Sequence, residues 1–261
     1  MSRITKIKIP KPILWLIAAV FWAAVWYLAA LSMDNEFFLP YPHTVFVSFI
    51  KLIQKDEFWH AVWQSMLTVL KGSLIGCTLG GLFAVLASLS QVFGVILSPL
   101  VTVLRATPVA SFIILVYVIV RVNDFPIDTV ALLIVIIMVI PILYSNLYSG
   151  IASFDKGLDE VASVYSFSLR KKIVFLWFPQ IKPFLISGVV NAIGFAWKAG
   201  VAAEVICGLE DTIGKNLAES KSNLEMDRLF AWTMTVVLLS LLFECLIKKT
   251  LQKKRKGSAV S

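Results

Sequence analysis

The chain has 261 residues, 59% of them hydrophobic and only 15% charged, with a formal net charge of +8 and a mean hydropathy of +0.85. Soluble domains run nearer about 45–50% apolar and about 25% charged, so these values exclude a water-soluble enzyme or binding module and name the bilayer as the solvent. The cations lie in the two ends and in short polar connections rather than on one folded basic face, which argues against nucleic acid as a partner.

A spanning helix needs about 20 mainly apolar residues. Six stretches qualify, at about 13–33, 62–88, 97–120, 129–150, 184–206 and 229–247. Basic residues ahead of the first run resemble the start of a secretory signal. The run from Ile13 to Met33 is too long for one, so a retained first span is expected. Leu39-Pro40-Tyr41-Pro42 marks a turn, after which Phe46, Phe49, Ile50 and Ile53 at helical spacing predict an amphipathic helix along the membrane surface. Trp59 and Trp63 suit the headgroup belt. His43 and His60 are the only histidines, His43 has no second His, Cys or carboxylate cluster nearby, and no metal site is expected.

The second span is interrupted by Lys71 and then carries Gly76, Gly80 and Gly81, which let backbones approach closely. In the third, Arg105-Ala106-Thr107-Pro108 predicts a kink or a restart, because proline lacks an N–H and restricts the residue before it. Pro141 predicts a bend in the fourth. In the fifth, Gly188, Ala192, Ala196, Gly200 and Glu204 recur every four residues and so share one helical face. Such a small-residue row is how helices associate in lipid, so the fifth span is expected to be central to packing. Asn191 and Lys198 lie seven apart on another face. A charge at that depth costs at least about 2.5–3.5 kcal/mol on insertion scales, leaving three readings for Lys198: a polar cavity or solute, an ion pair, or snorkelling. Cys77, Cys207 and Cys245 are scattered and read as packing residues.

Lys and Arg bias sets membrane orientation. With the N-terminus in the cytoplasm, fifteen of the 24 Lys and Arg fall on that side: four in the first 11 residues, five between 156 and 182, and six from 248 to 256. Six spans with both ends inside is the expected topology. Residues 1–60 form the tail, first span and outer interfacial segment, 61–247 the transmembrane core, and 248–261 a basic tail.

Between the fourth and fifth spans, residues 152–183 form a polar interruption. Leu158, Val161, Ala162 and Tyr165 make one helical stripe, and Leu169, Ile173, Leu176 and Trp177 a second. Pro179 and Pro183 are expected to end the second helix and open the fifth span. The residues alone allow either a hairpin lying on the inner leaflet or a docking element for a soluble partner. Its cations Arg170, Lys171 and Lys172 fit both.

This segment resembles the EAA motif of permease subunits in binding-protein-dependent ABC importers: Glu-Ala-Ala, three residues, Gly, nine residues, Ile, one residue, Leu-Pro. Here the same spacing gives Glu160-Val161-Ala162, Ser166, Leu176 and Phe178-Pro179. Ser166 is the departure that matters most, because the family's glycine permits positive φ between two short helices. Leu39 to Pro42, the helix from Ser65 to Gly81, Arg105 to Pro108, and Gly194 to Trp197 through Ala202-Ala203-Glu204 resemble the nitrate/sulfonate/taurine branch. The likeness covers about residues 39–255.

The resemblance implies an all-α type I importer permease with six transmembrane helices, in a bacterial inner membrane. It implies a second permease subunit, making a homodimer, two ABC ATPase subunits, and an extracytoplasmic solute-binding protein. Asp159, Glu160, Val161, Ala162, Ser166, Leu176 and Pro179 would couple to the ATPases, and Asn191, Trp197, Lys198 and Glu204 would lie along the path of a small polar or anionic solute. Glu204 is open to a structural or gating role as well as to solute contact. No GxxxxGK[ST] phosphate loop is present, so this chain is expected to hydrolyse nothing and to bind no cofactor, with ATP and Mg on the ATPases. The rival reading is a secondary transporter or channel, which would not need a loop of this spacing.

Overall fold

The computed structural model describes residues 10–33 and 35–257. All regular elements among the described residues are helical: α1 (Lys11–Met33), α2 (Pro42–Ile53), α3 (Asp56–Leu89), α4 (Gln91–Ala106), α5 (Val109–Val122), α6 (Thr129–Ala152), α7 (Lys156–Val164), α8 (Leu169–Lys172), a π-helical turn (Ile173–Trp177), α9 (Phe178–Cys207), α10 (Ile213–Ser222) and α11 (Met226–Gly257). The cations at 3, 6 and 8 lie outside the described residues.

The core is built on α6, whose spanning window is 56% buried against 6% for α1. Helices gain nothing from hydrophobicity against lipid, so they associate where small residues let them interlock. On α3 that row is Gly72, Gly76 and Gly80. A methyl placed on Gly76 would lie 2.7 Å from Val139 Cβ, and one on Gly80 would lie 2.7 Å from the Ile140 carbonyl. Gly81, expected in this role, stands off: its methyl would meet Leu143 and Leu147 at an ordinary 3.8 Å. Gly72 is the missing member of the row, four residues before Gly76.

The third span is broken outright. Pro108 holds Thr107 extended at φ −79°, ψ 134°, and α4 and α5 meet at 106°. Among the described residues five helices are therefore long and apolar enough to cross unbroken, and the α4–α5 pair makes up to a sixth crossing. Leu97 and Val101 of α4 pack with Ala84, Ala87, Tyr144 and Leu147 at the end of the bundle where α3 finishes, called here the loop end. Ile113, Val116 and Val120 of α5 pack on Val130, Ala131 and Ile134 at the far end.

Other boundaries differ from expectation. α3 begins at Asp56, so Trp59 and Trp63 both sit on its first turns, and Trp59 Nε1 donates to the Ile53 carbonyl at 2.9 Å. In α2, the most buried residues are Val45 and Leu52; Phe46 and Ile50 of the expected stripe stay exposed, while Phe49 and Ile53 pack at the core's edge. This helix has two apolar faces, one for protein and one for lipid. α6 passes through Pro141 as one helix. α11 continues through the basic tail to Gly257.

The largest correction concerns the fifth span. Pro179 and Pro183 do not separate it from the loop; from Leu169 to Cys207 the chain is a single 39-residue helix. The π turn explains how. Phe178 N–H reaches back five residues to the Ile173 carbonyl, a widened register that goes with the bonds Pro179 and Pro183 cannot make.

Candidate functional site

The loop element begins where the Asp155 carboxylate accepts from Gly157 N–H at 2.9 Å and opens α7. It ends as sequence spacing demanded of a glycine. Ser166 has φ 51°, and Phe167 N–H donates to the Ala162 carbonyl at 2.9 Å while Tyr165 N–H donates to Val161 at 3.1 Å. That is a Schellman turn with serine in the left-handed seat. The chain then re-enters a helix at Leu169.

Little of this element is packed on its own chain. Ala162 is buried at 3% exposure, yet Val161, Val164, Tyr165 and Leu169 are more than half exposed. Leu176 and Trp177 are half-buried, with Trp177 edge-on to Phe154 at 6.0 Å. Glu160 and Trp177 line a pocket of about 630 Å³ with Val85, Leu89, Ile151 and Ile181. Gln180 accepts from Asp155 N–H at 3.4 Å, tying the start of α7 to α9. Arg170 and Lys171 are exposed, Lys171 lying over the Phe167 ring at 6.0 Å. Pro179 is exposed in the first turn of α9. The Asp159 side chain lies outside those described.

The α9 row faces the core throughout. Gly188, Ala192, Ala196, Gly200 and Glu204 are all buried. A methyl on Gly188 would press to 2.9 Å on Leu143 of α6, and one on Gly200 to 2.8 Å on Val69 of α3. Trp197 is also fully buried: its Nε1 donates to the Val236 carbonyl at 3.0 Å and its ring meets Phe243 edge-on at 5.1 Å. It locks α9 to α11 and presents no open face. Asn191 and Lys198, by contrast, are exposed on one side of α9, and Gly194 between them has nothing within 4 Å of where a methyl would stand. Lys198 makes no ion pair with a described residue.

Glu204 is fully buried at the far end, in a ring of bonds that sequence reasoning missed. Ser65 Oγ donates to Glu204 Oε2 at 2.8 Å and accepts from Ile213 N–H at 3.0 Å; Gly214 N–H donates to the same Oε2 at 3.1 Å. The carboxylate thus sits on the first turn of α10, where free N–H groups and the helix dipole favour negative charge. Thr212 caps that turn, accepting from Lys215 N–H at 3.1 Å. Gly214 is obligatory, since a methyl there would fall 2.2 Å from Glu204 Cβ. The one sequence signal was Thr212 following Gly208, a helix stop and then a helix start. Nothing along the chain pointed from Ser65 to Ile213.

The arrangement is one of packed helix faces, an exposed apolar loop element and polar faces. Among the described residues no three His, Cys, Asp or Glu side chains gather as a metal would need.

Known proteins agree with this architecture. Residues 72–256 match the family described as binding-protein-dependent transport system inner membrane component. The chain is 28% identical over 214 residues to the putative aliphatic sulfonates transport permease protein SsuC of Bacillus subtilis (strain 168), covering 80% of this chain and 74% of that one. It is 30% identical over 150 residues to the nitrate import permease protein NrtB of Synechococcus elongatus, covering 54% and 50%. An amino acid ABC transporter solved with histidines shares the fold, with a TM-score of 0.64 at 18% identity over 80% of this chain and 96% of that one. The chain therefore belongs to the inner membrane components of binding-protein-dependent transport systems, and within them is similar to the nitrate and sulfonate permeases.

Proposed function

We propose that this chain is the permease subunit of an ATP-driven importer in a bacterial inner membrane, and that residues 152–183 are gripped by a cytoplasmic ATPase. The observation that carries the reading is the unpacked loop element itself. It is a short helix, a left-handed turn at Ser166 and a second helix, bearing apolar side chains that this chain leaves uncovered. Such a surface in water calls for a protein partner. Two copies of the chain enclose one path, and the ATPases hold ATP and Mg. An extracytoplasmic binding protein delivers the solute to the far end, and both termini face the cytoplasm.

When the ATPases close they draw the two loops together and rock the spans, opening the path outward; hydrolysis resets them. The relatives named for sulfonates and nitrate support a small anion as the solute. The exposed Asn191–Lys198 face of α9 supports a polar lining.

Glu160→Lys reverses a charge on the lining of the pocket beside the loop element. Removing a paired interfacial charge costs about 2–5 kcal/mol, so ATPase recovered with the purified permease falls by at least about tenfold while membrane insertion is unchanged. Undiminished co-purification would refute the docking assignment.

A further inference from the structure

Between α4 and α6, on the loop-end half of the bundle, lies a second pocket of about 300 Å³. Ser98, Thr102 and Arg105 line it from α4, at one helical face. Ser145, Tyr148 and Ser149 line it from α6. Arg105 Nη1 donates to Ser145 Oγ at 3.2 Å, and that hydroxyl donates onward to the Pro141 carbonyl at 2.8 Å. Tyr144 and Tyr148 stack nearly parallel, centroids 5.6 Å apart, as one wall. No acidic side chain lines the pocket, and no described carboxylate pairs with Arg105.

A guanidinium without a counter-charge in a spanning segment is costly, and such groups mark ligand sites. It carries five N–H donors in one plane, a fork that fits two oxygens of one anion. One donor is engaged by Ser145. Arg105 is exposed at the pocket, whose lining adds the hydroxyls of Ser98, Thr102, Tyr148 and Ser149. Such groups solvate an anion without neutralising the arginine, though the Thr102 hydroxyl already donates to the Ser98 carbonyl at 2.8 Å.

We propose that this pocket is a binding station for a compact oxyanion, a sulfonate or carboxylate group, held by Arg105. Its place on the solute's route rests on the importer reading; the binding does not. A lipid phosphate offers the same chemistry, so the test separates the two.

The full-length chain is purified in detergent with Cys77, Cys207 and Cys245 replaced by serine and Thr102→Cys introduced. It is reacted with the anionic sulfonatoethyl and the cationic trimethylammonioethyl methanethiosulfonate, each rate normalised to 2-mercaptoethanol. The anionic reagent is expected to react about tenfold faster. Arg105→Gln erases that preference, Arg105→Lys keeps most of it, and excess methanesulfonate protects the thiol where chloride at equal ionic strength does not. Equal rates for the two reagents, or a preference that survives Arg105→Gln, overturns the proposal. Should Arg105→Gln fail to fold, methanesulfonate protection of the arginine protein decides alone. Protection by phosphatidylglycerol micelles but not by methanesulfonate overturns it in favour of a lipid. None of these readouts involves an ATPase, so failure here leaves the Glu160→Lys result standing, and the converse holds.

Discussion

A non-glycine residue in the left-handed region costs roughly 1–2 kcal/mol, yet three helices here end on one: Asp124 after α5, Ser166 after α7 and Leu224 after α10. Each is followed by the long-reach bond of a Schellman turn, Phe125 to Val120, Phe167 to Ala162 and Glu225 to Ser220. Among the described residues only Gly208, after α9, holds the seat as a glycine. Ser166→Gly relieves the Cβ strain but adds unfolded-state freedom, leaving a net gain of about 1 kcal/mol. Exchange of the Phe167 amide should therefore slow roughly fivefold, measured by hydrogen exchange on the purified protein. Unchanged or faster exchange would contradict this account of the turn. The position was legible because a fixed distance from Glu160 named it. Its conformation was legible because only φ > 0 makes a glycine necessary there.

Among elements, the row of glycines on α3 fixes how closely α6 can lie. Gly80→Ala drives a methyl against the Ile140 carbonyl and is expected to destabilise by about 1–3 kcal/mol, as overpacking does. Gly81→Ala, one residue on, meets only ordinary contacts and is expected to leave stability unchanged. Thermal unfolding of the two variants in detergent checks the pair, and equal losses would sink the distinction. Spacing picked out the α9 row because five small or functional residues at i+4 are conspicuous. On α3 it took Gly81 for Gly72, because an adjacent pair of glycines looks like a contact site and only the partner helix reveals which face is used. The clamp of Ser65, Glu204 and α10 was invisible for a related reason. Its partners are 148 and 139 positions apart in sequence, and no local periodicity encodes such a meeting. The proline punctuation around Pro179 misled in the opposite direction, since a π turn absorbs what an α-helix would not.

For the whole molecule, the proposed orientation, with the loop in the cytoplasm, rests on where the cations lie, since Lys and Arg near span ends favour the cytoplasmic side. In a cysteine-free background, Ser222→Cys at the far end should react with a membrane-impermeant maleimide in intact cells. Ser168→Cys in the loop should react only after the membrane is opened. Reversed labelling would place the loop outside and remove the ATPase from the picture. Hydropathy alone located the five unbroken candidate spans and the apolar pair that makes up to a sixth; the 106° break in that pair was only half-readable, because Pro108 announces an interruption but not the direction the chain takes after it.

The unbroken helix from Leu169 to Cys207 is about 58 Å long at 1.5 Å per residue. Its loop-end tip is left largely uncovered by this chain, and the other, through Glu204, is fastened to α10. A rod fastened at one tip and open at the other would act as a crankshaft, with a twist imposed at Ser168 having to pass the π turn at Ile173–Trp177 before it reaches Cys207. Lys198 and Asn191 ride on that shaft, so a twist carried along it would turn them too.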